Sequence, residues 1–144
     1  MKNCVYRFLN KNNEIIYIGK ATNLRSRISS HNHLPQKCYD EKVRIEFISF
    51  ESEDEMDFAE RYFIPKHKPK YNTVMSNRIM NLSLAEFDNR EWISIEEYEK
   101  AQIQKRIDKW EKEKNQKRIE KQKQKEIDKK LKLIRTEIQS YINI

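Results

Sequence analysis

The chain has 144 residues, 37% charged and 37% hydrophobic, and its 30 Lys and Arg against 23 Asp and Glu leave a net charge of +7. That length holds one ordinary domain and an appendage, not two full domains. No stretch nears the roughly 18 apolar residues of a membrane span, the first residues lack a signal-peptide core, and Cys4 and Cys38 are too few for a disulfide framework or a four-cysteine zinc site. The expectation is a cytoplasmic protein, with no membrane partner, whose moderate basic charge suits nucleic acid.

Val5–Leu9 predicts a first strand, Asn10–Asn13 a polar turn, and Ile15–Ile18 a second strand, together a hairpin. Gly19 ends the second strand. Average glycine usage would supply about ten in such a chain, and Gly19 stands alone, so it is expected to answer a backbone need. A helix follows, capped by Thr22 or Asn23, with Leu24 and Ile28 as its apolar stripe and Arg27 and His31 at the edge. Residues 32–42 read as a loop.

Alternation over Val43–Phe50 predicts a third strand. Ser52-Glu53-Asp54-Glu55 is a capping box, opening a helix that runs to about Ile64, where Pro65 is expected to stop it. Met56, Ala59 and Phe63 form its buried stripe, bordered by Glu60. The fold expected is α+β: a small three-stranded antiparallel sheet flanked by helices, followed by a long C-terminal helix. Its domains are 1–75, a linker over 76–93, and the helix over 94–144. Trp92 and Trp110 read as packing anchors.

Ser94-Ile95-Glu96-Glu97 opens that helix, which extends to about Tyr141, roughly 70 Å at full length. Between Glu111 and Glu126 only Ile119 is apolar, whereas Ile127, Leu131, Ile134, Ile138 and Tyr141 recur at 4-3-4-3 spacing, a coiled-coil seam of two heptads. Nine basic and five acidic residues lie between Glu111 and Lys130. That stretch suits either salt-sensitive contact with a DNA backbone or a solvated spacer and dimer stalk.

The chemistry-bearing residues lie in the first 72. Tyr6 sits on the first strand and Tyr17-Ile18-Gly19-Lys20 ends the second. Asn23-Leu24-Arg25-Ser26-Arg27 and His31 follow, then Glu60, then Pro69-Lys70-Tyr71-Asn72. Taken singly, each has a plainer reading. Strand tyrosines are usually packing residues, Glu60 sits among other surface acids, and His31 with His33 lacks a partner cluster for metal.

Their order resembles the GIY-YIG nuclease family over residues 3–73. The two naming motifs stand here as Cys4-Val5-Tyr6 and Tyr17-Ile18-Gly19, with Cys4 and Val5 replacing glycine and isoleucine. The resemblance implies a DNA endonuclease that hydrolyses phosphodiesters to 5′-phosphate and 3′-hydroxyl ends with Mg2+ or Mn2+. In that reading Glu60 holds the metal, and Tyr6 acts as general base or positions water. Arg27 contacts phosphate, Tyr17 orients water or supports Tyr6, His31 shuttles a proton or contacts phosphate, and Gly19 is structural. Lys20, Arg25, Lys66, Lys68, Lys70 and Asn72 are the DNA contacts, and His67 sits in the same basic loop. A phage or mobile-element enzyme of homing or interference type is expected, with a homodimer through the long helix. The alternative is an inactive nuclease-fold module that binds DNA or protein through that helix.

Overall fold

A computed structural model describes residues 1–30, 34–73 and 84–142, of which residues 141 and 142 as backbone only. Strands β1 (Lys2–Leu9) and β2 (Ile15–Asn23) form the hairpin, with Tyr6 opposite Gly19. The Asn-rich turn works through its side chains. Asn10 Oδ1 accepts from the backbone N–H of Asn12 and Glu14, and Asn13 takes the left-handed conformation at φ 61° that asparagine tolerates.

Asn23 caps α1 (Leu24–Ser29) by accepting from the N–H of Ser26. Residues 32–42 are not simply a loop, because Gln36–Glu41 form a short helix, α2, which buries Cys38. A single apolar anchor is too little periodicity to signal a helix in sequence. Strand β3 (Arg44–Ser49) pairs antiparallel with β1. Helix α3 (Glu53–His67) starts with the Ser52 cap, whose hydroxyl accepts from the N–H of Glu55. Pro65 does not stop it. Proline there forfeits only one backbone hydrogen bond, its ring is buried, and Lys68, in the left-handed region, closes the end by donating its N–H to Ile64 O at 2.8 Å.

The described sheet has four strands, not three, in the order β2-β1-β3-β4. The addition is Ile93–Ser94 (β4), which pairs with β3 and lies in the stretch read as a linker. Two residues are too short for a period-2 signal. Between them, helix α4 (Ala85–Asp88) buries Phe87 against Phe50, Tyr62 and Phe63.

Alternation on β1 supplies a core on each face of the sheet. Val5, Ile18 and Ile48 pack with Met56, Ala59 and Phe63 of α3. Cys4, Tyr6, Phe8, Tyr17 and Phe47 pack with Leu24 of α1 and Cys38 of α2. Trp92 is the anchor expected, meeting Phe63 at 5.3 Å between centroids under the Arg7 guanidinium. Trp110 is not, being 57% exposed with Lys114 over its ring.

Residues 1–98 form one compact unit and 99–144 another. The second consists of the continuation of α5 (Ile95–Ile142), a 48-residue helix. No described helix is long and apolar enough to cross a membrane.

Candidate active site

Strand β2 is an edge of the sheet, with α1 and α3 against opposite faces. The edge gathers side chains from four elements. Tyr6 and Tyr17, on neighbouring strands, bring their rings within 5.9 Å between centroids. The Tyr6 and Tyr17 hydroxyls hydrogen-bond to each other, and the Arg27 guanidinium, reaching in from α1, donates to both phenols. Glu60, from α3, lies close enough to Tyr17 for its charge to be felt there. Lys20 closes the ring, with Nζ 2.6 Å from Asp57 Oδ1 and 3.6 Å from Glu60 Oε2.

Gly19 sits beneath this group. A Cβ built there would lie 2.8 Å from Tyr17 Oη and 2.8 Å from both Cζ and Oη of Tyr6. Its φ is not positive. The need is therefore room for two phenols and not an unusual backbone conformation.

Burial sets the electrostatics. Tyr6 is fully buried, and desolvation, with Tyr17 beside it, pushes its pKa far above the ordinary phenol value despite the help of Arg27. Tyr17 is raised by the same cause. Both are neutral phenols at neutral pH. The Glu60 side chain is 14% exposed, and burial raises its pKa, only partly offset by Lys20. A carboxylate withdrawn from water with incomplete cation compensation suits a divalent ion. Among the described residues no group of three or more His, Cys, Asp and Glu gathers. The carboxylates at hand are Glu60 and its neighbour Asp57, a donor set that fits Mg2+, an ion that keeps several waters and takes one or two carboxylates plus phosphate.

Other predicted contacts separate. Asn72 uses its amide on β2: its Oδ1 accepts from Ile18 N at 2.8 Å and its Nδ2 donates to Ile18 O at 2.7 Å. It extends the sheet edge between Tyr17 and Gly19. Lys70 pairs with Glu41 at 2.8 Å, and Lys66 pairs with Asp88 and donates to Tyr62. Lys68 and Arg25 are exposed, and His31 lies outside the described residues. Asp57, the closer partner of Lys20, is the site neighbour that sequence reasoning missed. Its only signal was its place three residues before Glu60 on one helix face.

Cys4 does not disturb β1. It is fully buried in regular pairing with Ala21 and Ser49, and its Sγ donates to Lys2 O at 3.1 Å.

The model of the UvrC-like GIY-YIG domain matches residues 2–73, half the chain. The chain belongs to the GIY-YIG family. Within it, UvrABC system protein C of Mycoplasma capricolum is 35% identical over 77 residues, and that of Borrelia garinii 42% over 78. Each match covers 50% of this chain but only 13% of the relative. The GIY-YIG N-terminal endonuclease domain of UvrC from Thermotoga maritima, solved with its catalytic magnesium, is 37% identical, with a TM-score of 0.45, over 50% of this chain and 84% of that one.

Proposed function

We propose that residues 1–73 form a divalent-metal-dependent endonuclease that hydrolyses phosphodiesters in DNA. The observation that carries this is the convergence, at one sheet edge, of two hydrogen-bonded phenols, a guanidinium donating to both, and a largely buried carboxylate. The family's GIY-YIG motifs fall on these residues.

Glu60 would hold the Mg2+ or Mn2+, which would polarise the phosphate and acidify water. Arg27 stabilises negative charge that builds on the phosphate oxygens. Tyr6, kept neutral by burial, positions the attacking water by hydrogen bonding, and its use as a base would require nearby positive charge to offset that burial. Tyr17 hydrogen-bonds to Tyr6 and fixes its hydroxyl. Lys20 orients Glu60. Asn72 holds the strand carrying Tyr17 and Gly19 and is a positioning residue, not a DNA contact.

Arg25, Lys66, Lys68 and Lys70, all exposed, are the DNA contacts of this unit, and the basic stretch of α5 follows a backbone without base selectivity. Self-association through the end of α5 belongs to the same reading. The relatives are UvrABC system protein C chains, which supports an endonuclease of UvrC type over the phage or mobile-element homing type.

Cleavage of supercoiled plasmid with Mg2+ or Mn2+ tests the proposal. Wild type should nick or linearise it, while Glu60→Ala, Arg27→Ala and Tyr6→Phe should each lose at least about 100-fold in rate. Equal cleavage by Glu60→Ala rejects the metal assignment. A wild type that binds DNA and cuts none of it supports the inactive module instead.

A further inference from the structure

The last turns of α5 carry a pattern that the chemistry leaves unused. Ile127, Leu131, Ile134 and Ile138 are 50%, 49%, 50% and 53% exposed, and they alternate by four and three along one continuous helix. Leu131 and Ile138 therefore occupy heptad position a, and Ile127 and Ile134 position d. Leu133, more exposed at 59%, falls at position c, off the seam. Asp128 and Arg135 then stand at position e, and Lys130 and Glu137 at position g.

We infer that this seam pairs with a second copy of the chain in antiparallel orientation, with Leu131 of one copy level with Ile134 of the other; the inference rests on the self-association proposed above and specifies its geometry. The flanking charges select the orientation. In an antiparallel pair, g faces g and e faces e, so Lys130 meets Glu137 and Asp128 meets Arg135, each twice by symmetry. All four contacts are attractive. In a parallel pair, g faces e of the next heptad. Lys123 then meets Asp128 favourably, but Lys130 meets Arg135, and the two cancel. Repulsion thus works against the parallel alternative. Upstream, Glu111–Glu126 has only Ile119 as an apolar residue, so the seam cannot lengthen and the dimer depends on concentration.

Sedimentation equilibrium of the full chain, up to about 200 µM, reads the pairing. Wild type should dimerise. Lys130→Glu should weaken the dimer roughly tenfold, and Lys130→Glu/Glu137→Lys should restore it. Leu131→Asp should abolish it with helix content unchanged by circular dichroism. A parallel pair demands the opposite sign, because Lys130→Glu would create an attraction to Arg135. A wild type monomeric throughout, a dimer tightened or unmoved by Lys130→Glu, or one that survives Leu131→Asp would overturn the inference. Cleavage is not among the readouts. A dimer that cuts nothing rejects the nuclease reading and leaves the pairing intact, and an active monomer does the reverse.

Discussion

Tyr6 lies opposite Gly19 in the β1–β2 ladder, and a Cβ added to Gly19 would come within 2.8 Å of its Cζ and Oη. The glycine and the phenol are thus one structural unit. Tyr17 Oη completes it at the same distance.

Gly19→Ala should therefore destabilise the unit by about 1–3 kcal/mol, the usual cost of overpacking, and slow cleavage by displacing the phenols. Denaturant midpoints and nicking rates check both effects. Gly19→Ala/Tyr17→Phe should recover part of the stability, since one of the three close contacts is removed. An alanine variant as stable as wild type would refute the steric account.

Glu60, the metal-holding residue of the proposed function, is a carboxylate held at a cost to stability. Its pKa is raised by burial, so the folded state favours the protonated form. Its contribution is favourable below the unfolded carboxylate value and is lost as pH rises through the folded one. At neutral pH, Glu60→Gln should consequently match or exceed wild type in Tm while losing cleavage. The difference should shrink or reverse as the pH approaches 4. Thermal melts from about pH 4 to pH 8 decide the matter.

Asn72 uses both ends of its amide on the Ile18 backbone. Asn72→Ala leaves a partly buried N–H and C=O without these partners, at about 1–3 kcal/mol. Asn72→Asp keeps the acceptor and loses the donor, and should fall between the two. If Asn72 were a DNA contact instead, the alanine variant would weaken DNA binding with stability unchanged, and melting curves beside a binding titration separate the two cases.

His67 stacks on Phe63 at 6.0 Å between centroids. Desolvation and then the Arg7 charge lower its pKa from 6.5. The neutral form is the one folded, so its contribution is present above 6.5 and is lost as pH falls through the depressed folded value. His67→Phe should flatten the fall in Tm from neutral to mildly acidic pH without altering cleavage at pH 8. Parallel slopes in the two proteins would refute it.

Local rules made much of this protein legible without coordinates. The Asn23 and Ser52 caps, the Asn turn, the alternation of β3 and the Met56-Ala59-Phe63 stripe all rest on interactions within four residues or on simple periodicity. The order of the tyrosines, Arg27 and Glu60 pointed to one site because the family's motifs are themselves short and ordered.

What only the tertiary structure decided depends on partners far along the chain. The ion pairs of Lys66 with Asp88 and of Lys70 with Glu41 join residues 22 and 29 positions apart. Asn72 became a strand clamp because it meets Ile18, 54 residues away. Gly19 answered the room needed by Tyr6, and β4 formed from two residues because β3 offered an edge. A sequence displays charge, period and caps, which are properties of neighbours. Which charge is neutralised, which strand is added and why a side chain must be absent follow from packing of distant segments, and those contacts exist only once the chain has folded.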